Sequence, residues 1–565
     1  MLRRILVSIC LLVSLPVAGI SALPVRSSFP AVLFEGEFVE GIPYRSASGN
    51  WSLPFSLIRR HIDPSIVWDQ ASQSVIITTE DKVLRMPSDA LTSFMNLRPF
   101  QLSQPARIID GEPYVPLEII ESLCSLDCSY KDRTNILVVN RTNIGHTFAI
   151  LSRNATLKRG PGIFSWPIMT LRPGEKLIVR SSDGAWARVQ TSDGIVGYVP
   201  FSTLSDIHTS PARAPEQRTA RGRTARPINM TWEYVWGHNP TPILERLPRG
   251  LNVISPTWFT LQDPSGNIQA NVDPTYVSWA HTHGIKLWPL VSNGFNPELT
   301  HEFLNSALNR ENFIRQLLAW TNAMRLDGIN LDFENVPYED RDLLVQLVRE
   351  LVPLAREQGL VISVDVTVKS SSKNWSLCYD RKRLAEAADY LILMAYDQTP
   401  ASSPIPGPNA GLPWVERGIQ QLLEELPPEK LILGIPFYTR IWKQPVTESA
   451  LSIATSSAAS MEQVEHFVRQ QKAEVTIDDS TGQKVARWVR DGIEWKVWIE
   501  DEETVSARAS LASKYGLAGI ASWRRGFEKP AIWEAIAANL RPHDCLSSGE
   551  EISSTRMHTR QAPPQ

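Results

Sequence analysis

Within Asp327-Gly328-Ile329-Asn330-Leu331-Asp332-Phe333-Glu334, carboxylate and amide side chains recur at alternate positions. An extended strand points successive side chains to opposite faces. Asn330, Asp332 and Glu334 therefore share one face, and Ile329, Leu331 and Phe333 share the other. Gathering acids on a buried strand raises their proton affinity, because like charges repel and desolvation disfavours ionisation. Asp332 and Glu334 are expected to share protons and leave one acid protonated near neutral pH, the state a general acid needs. A solvated acidic sheet edge produces the same D-x-E spacing without chemistry. The surrounding elements have to decide between the two.

Residues 228–540 alternate apolar strands with helical segments, the pattern of a (β/α)8 TIM barrel within the α/β class. Candidate strands begin at Ile228, Val253, Leu287, Gly328, Ile362, Tyr390, Leu431 and Gly519. Barrels place chemistry at the C-terminal ends of their strands, where Glu334, Tyr396, Tyr438 and Trp523 fall. Residues 441–505 exceed an ordinary βα connection and contain Ala486-Arg487-Trp488-Val489 and Trp495-Lys496-Val497-Trp498, which predict a hairpin.

The acid strand resembles that of glycoside hydrolase family 18, D-G-x-D-x-D-x-E, at Asp327, Gly328, Asp332 and Glu334, with Asn330 replacing the middle acid. Asn330 can hydrogen-bond but cannot share a proton. Met394-Ala395-Tyr396-Asp397 resembles the family's M-x-Y-D signature, and Gly434-Ile435-Pro436-Phe437-Tyr438 its G-x-P-F-Y strand. Gly519-Ile520-Ala521-Ser522-Trp523 resembles the last barrel strand, whose Trp floors the sugar site. The S-x-G-G strand is only partly present, as Ser292-Asn293-Gly294-Phe295. The runs Ser255-Pro256-Thr257-Trp258-Phe259, Ser363-Val364-Asp365-Val366-Thr367 and Asn374-Trp375-Ser376-Leu377-Cys378-Tyr379-Asp380-Arg381 resemble the branch associated with spore cortex or wall peptidoglycan. In the family, a small α+β insertion before the last strand walls one side of the cleft.

The resemblance implies a substrate-assisted, retaining glycosidase that cleaves after N-acetylglucosamine, the substrate's N-acetyl oxygen taking the place of a second carboxylate. Glu334 is expected to protonate the leaving oxygen, Asp332 to orient the acetamide N–H, and Asp327 to sit behind Asp332 and tune it. Tyr396 is expected to bind the acetamide oxygen and Asp397 the sugar or Glu334. Trp523 would lie under the ring, with Asn330, Met394, Tyr438 and Arg440 as further substrate-binding candidates. Tyr396 and Asp397 also have plain structural readings, as a barrel-top phenol and a helix cap. His281, His283 and Trp258 are expected to be structural. The rivals are a chitinase or exopolysaccharide hydrolase, and a catalytically silent glycan-binding protein.

At 565 residues the chain is too long for one core. Its net charge of −3 gives no pull toward nucleic acid. All but four of its 18 Trp follow residue 227, most of them expected in the core. Arg3 and Arg4 before the apolar run Ile5 to Ile20, with Ser21-Ala22 following, predict an export signal over residues 1–22 and a secreted protein without a membrane span, and the resemblance to the cortex and wall branch implies wall or spore association as one alternative. Cys10 should leave with the signal, and Cys124 and Cys128 could be either a small-loop disulfide or free thiols. Two Cys with no matching pair elsewhere do not make a zinc site, and neither metal nor cofactor is expected.

Upstream, Gly41-Ile42-Pro43-Tyr44 with Leu53 to Ile58 echoes Gly111-Glu112-Pro113-Tyr114 with Val115 to Ile120, each copy running toward a β-rich segment. This plan, over residues 30–140, resembles the copper amine oxidase N-terminal module, here without a copper site since His61 is the only His before residue 141. Short alternating runs over residues 145–206 resemble a bacterial SH3-like barrel. Residues 207–227 read as a Pro- and Arg-rich linker and 541–565 as a disordered tail. The expected partners are a polysaccharide and, through the upstream modules, the cell wall; the chain is expected to be monomeric.

Overall fold

The computed structural model describes residues 29–212, 227–240, 247–446 and 453–540. The expected export signal, most of the linker, the tail, Cys10 and Cys545 lie outside them. The described residues form two compact units, one of residues 29–77 and 84–212, the other of residues 78–83, 227–240, 247–446 and 453–540.

In the first unit, strand Trp51–Pro54 runs into helix Phe55–Leu57, and strand Glu112–Pro116 into helix Leu117–Leu123. Pro54 and Pro116 stand at the two helix starts, where a fixed φ and a missing N–H do no harm. The two strands pair antiparallel, Leu53 opposite Val115, so the sequence repeat becomes one sheet. The β-rich segments after each copy then diverge. Ser74–Thr78 joins a five-stranded meander, whereas Ile136–Arg141 lies between Leu126–Lys131 and a parallel neighbour, Ala31–Phe34. The second copy inherits a partner from the start of the module that the first copy never meets. Cys124 and Cys128 are free thiols.

Residues 147–209 form a seven-stranded antiparallel sheet around Leu157, Leu171, Leu177, Ala187, Val189 and Val199. Its last strand, Leu204–Thr209, pairs with Thr147–Leu151 and runs past position 206, so residues 207–209 are strand and not linker. Arg180 ties this sheet to the preceding module, donating to Glu35 at 2.8 Å and to Gln190 at 2.8 Å.

The second unit is a parallel barrel with strands β1 (Ile228–Glu233), β2 (Val253–Pro256), β3 (Lys286–Leu287 and Leu290–Ser292), β4 (Gly328–Asp332), β5 (Val361–Thr367), β6 (Tyr390–Met394), β7 (Leu431–Pro436) and β8 (Gly519–Trp523). Pro289, which lacks an N–H, interrupts β3. The first piece of β3 pairs with β2 and the second with β4, and β8 pairs with β1, which closes the ring. Inward residues Met230, Trp232, Trp288, Leu290, Tyr390, Ile392, Ile432 and Ala521 fill the interior. Gly328 opens the acid strand because a Cβ there would meet the Trp288 ring and the Val361 carbonyl, each at 2.6 Å.

Between β7 and β8 a five-stranded antiparallel sheet is inserted, with helix Met461–Gln470 against it. The expected hairpin pairs Gln483–Arg490 with Ile493–Trp498 around Asp491-Gly492, both at positive φ as a tight hairpin turn requires. Among the described residues, no helix is long and apolar enough to cross a membrane.

Candidate active site

The site is built on the end of β4. Asn330 and Asp332 are buried and point inward, and Glu334 stands half-buried two residues beyond. The backbone of Glu334 is clamped from both sides. Asn293 donates through Nδ2 to its carbonyl at 2.7 Å and accepts its N–H at 3.1 Å. Tyr379 donates to the neighbouring Phe333 carbonyl at 2.9 Å. The incomplete S-x-G-G segment therefore still holds the acid strand, through the fully buried side chain of Asn293.

Asn330 sits at the centre of a buried network. Its Oδ1 accepts from Trp232 Nε1 at 2.8 Å and Ser255 Oγ at 3.3 Å. Both are donors, which fixes the amide orientation. Its Nδ2 then donates to Ser363 Oγ at 3.1 Å and Asp365 Oδ1 at 2.8 Å. Asp365 is a second buried inward acid, on β5, to which the residue pattern gave no role. The alternation Ser363, Asp365, Thr367 carries the same signal as the acid strand, but only strand pairing places it beside Asp332.

Burial pushes the Asp332 carboxyl up to about 7. Burial, then the charges of Asp332 and Asp397, hold Glu334 well above the usual carboxylate range. Asp365 is raised by burial and by Asp332, against the hydrogen bond from Asn330. Desolvation is the leading cause in all three. Asp332 Oδ1 and Asp365 Oδ2 are buried without a hydrogen-bond partner.

Around these acids stand the other candidates. Met394 ends β6 and is buried. Tyr396 follows it, its ring edge-on to Trp232 at 6.4 Å and to Tyr438 at 6.2 Å, its phenol held protonated by burial first and by Asp365 next. Asp397 accepts from Tyr438 Oη at 2.6 Å and Arg440 Nη2 at 2.5 Å, so these three form one unit at the cleft. Trp523 ends β8, edge-on to Trp232 at 5.7 Å. The exposed rings of Tyr234 and Trp236 continue outward from Trp523, at 6.4 Å and 6.1 Å steps. Trp258 is buried, as expected of a structural residue.

Asp327 does not belong here. It precedes β4, at the opposite end of the strand from Glu334. It accepts from Lys286 Nζ at 2.7 Å and from the Leu287 N–H at 3.0 Å, with His281 Nε2 at 3.0 Å. Five residues of strand, about 16 Å at 3.3 Å each, separate it from Asp332. The expectation that it tunes Asp332 is overturned by that distance, and His281 is its structural partner.

Residues 267–528 match the family described as glycosyl hydrolases family 18. The barrel belongs to family 18. Residues 35–139 match the copper amine oxidase N-terminal domain. The chain is 25% identical over 323 residues to an uncharacterized glycosylase of Bacillus subtilis, YvbX, covering 55% of this chain and 92% of the relative. It is 25% identical over 323 residues to the cortical fragment-lytic enzyme of Bacillus anthracis, covering 53% and 72%. The spore cortex-lytic enzyme SleL of Bacillus cereus shares the fold, with a TM-score of 0.50 and 19% identity over 69% of this chain and 98% of that one. The family 18 barrel makes this protein a glycosidase.

Proposed function

We infer that the protein hydrolyses β-1,4 bonds after N-acetylglucosamine in a peptidoglycan-type glycan of wall or spore cortex. One observation carries the mechanism: the acids of the cleft lie side by side on one face of β4 and its neighbour β5, not across a bond from one another. Glu334 and Asp332 are two residues apart on the same side, an arrangement that suits one proton donor and leaves the attack to the substrate's acetamide oxygen. Glu334, protonated near neutral pH, donates to the leaving oxygen. Asp332 orients the acetamide N–H and balances the charge that develops on the ring formed. Tyr396 donates to the acetamide oxygen, Asp397 with Tyr438 and Arg440 grips hydroxyls, and Trp523 floors the sugar. Such a mechanism requires a 2-acetamido sugar at the cleaved bond, which rules out cellulose and starch as substrates.

The cortex-lytic relative favours peptidoglycan over chitin. The sheet of residues 147–209 reads as an SH3-like module and, with the copper amine oxidase-like domain, as an adhesion device for an insoluble wall. Secretion follows from the export signal. Digestion of purified peptidoglycan and of chitin oligomers by the protein and by Glu334→Gln, read by mass spectrometry, tests the reading. Muropeptides ending in reducing N-acetylglucosamine, absent with the variant, are expected. Cleavage of chitin oligomers alone would replace the wall substrate with chitin, and undiminished activity of the variant would remove Glu334 from its role.

A further inference from the structure

Asn330 stands where the family pattern carries an acid, and an amide cannot hold the proton such an acid would exchange with Asp332. The structure supplies a carboxyl from elsewhere. We propose that Asp365, on β5, is a positioning residue that shares one proton with Asp332 across the β4–β5 pairing and so sets the charge Asp332 presents to the substrate. The proposal rests on the glycosidase role of Asp332 and Glu334 given above.

The pairing dictates the geometry. Asn330 is opposite Ser363 and Leu331 opposite Val364, so the next step of the register brings Asp332 beside Asp365. Both point inward by alternation, on strands about 4.8 Å apart. Each is buried and keeps one oxygen without a hydrogen-bond partner. Trp232 and Ser255 consume the acceptor of Asn330, so its amide donates to Asp365 and holds that carboxyl in place. Among the described residues, the titratable groups whose charges reach the pair are Glu334 beyond β4, Tyr379 after β5 and Tyr396 after β6. Asp397 faces Glu334 and is itself engaged by Arg440. Among the described residues neither Asp332 nor Asp365 has an ion pair, and two such buried carboxyls hold one negative charge between them, the second being cancelled by a shared proton.

Moving that proton requires no other bond to change. As Glu334 gives its proton to the leaving oxygen and positive charge appears at the acetamide, the shared proton rests on Asp365 and Asp332 is the anion. When water opens the intermediate the pair again holds one proton and one charge. Glu334, Asp332 and the substrate carry the chemistry, and Asp365 acts through Asp332.

The test moves the carboxyl from one strand to the other. Asp365→Asn removes the carboxyl that β5 offers Asp332 and leaves it only Glu334, and the double variant Asn330→Asp/Asp365→Asn restores a carboxyl on β4. With chitotetraose as substrate, Asp365→Asn is expected to lower kcat by about tenfold or more, move the pH profile and change KM little. The double variant is expected to recover most of the lost kcat. Unchanged kcat and pH profile in the single variant, or no recovery in the folded double variant, would overturn the proposal. Infrared difference spectra of the protein without substrate read the proton directly. A buried carboxyl C=O band persisting near neutral pH in Glu334→Gln, where Glu334 contributes none, and lost in the double variant Glu334→Gln/Asp365→Asn, is expected. A band unaffected by Asp365→Asn in that background sinks the sharing even if no glycan is cleaved, whereas failure of wild type to cleave any acetamido glycan, with the band behaving as expected, faults only the glycosidase reading.

Discussion

The two ends of β4 carry acids of opposite kinds. Asp327, at the start, is met by Lys286, His281 and a backbone N–H. Among the described residues, Asp332 and Glu334, at the finish, form no ion pair, and Asp365 joins them from β5. The same contrast appears deeper in the barrel wall. Glu500 is fully buried yet receives Arg508 through both guanidinium nitrogens, together with Thr504 and Gln483. Arg310 holds Glu350 in the same two-pronged way at 3.0 and 2.8 Å. Where the fold needs a buried acid, it provides a cation. Where cations are withheld, the acids hold protons above the usual carboxylate range at the expense of stability, the condition proton transfer requires.

Substitutions at the two kinds of site should therefore separate activity from stability. Glu334→Gln is expected to lower kcat by about 10²–10⁴-fold without lowering Tm, because it removes a buried acid that has no counter-charge. A clear drop in Tm would place Glu334 among the structural acids. Arg508→Leu is expected to destabilise the protein by about 3–5 kcal/mol, since it leaves Glu500 charged and buried. Chemical denaturation measures this, and a loss below about 1 kcal/mol would show that the pair adds nothing beyond packing.

The pH dependence sharpens the same comparison. The Asp332 carboxyl moves from its ordinary 3.8 to about 7 on folding, so the native state binds more protons than the unfolded chain between those values. Stability therefore falls as pH rises from about 4 through about 7. Asp332→Asn should flatten that decline and gain on wild type at pH 8 relative to pH 4. Parallel curves would mean that Asp332 does not titrate in this window. The smallest effect is expected for Asp327→Asn, a loss of about 0.2–1 kcal/mol with kcat unchanged. A tenfold loss of kcat with normal stability would return Asp327 to the catalytic group.

In the first unit, alternation and turn residues made the strands readable, including the β-rich segments Ser74–Thr78 and Ile136–Arg141, but the repeat carried no information about which strands these would pair with. Strand pairing is settled by which edges are free, and that is a non-local property. In the barrel, the strand starts, the hairpin around Asp491-Gly492 and the cleft residues of β4, β6, β7 and β8 were all carried by local patterns. Asn293 and Tyr379 stood within motif runs but received no role of their own, because each acts on the backbone of the acid strand from another part of the chain, and a backbone hydrogen bond leaves no residue-type signature.

That acids would share one face of a strand was already written in the residue order, because extended backbone has a period of two. The residue order also determined the barrel, because alternating apolar strands and helices can bury their faces together in few other ways. Which acids meet depends on how the strands pair in the folded barrel. Asp327, five residues from Asp332 along the chain, lies at the far end of the strand. Asp365, 33 residues away, lies beside Asp332, since parallel strands come together through register and not through chain distance.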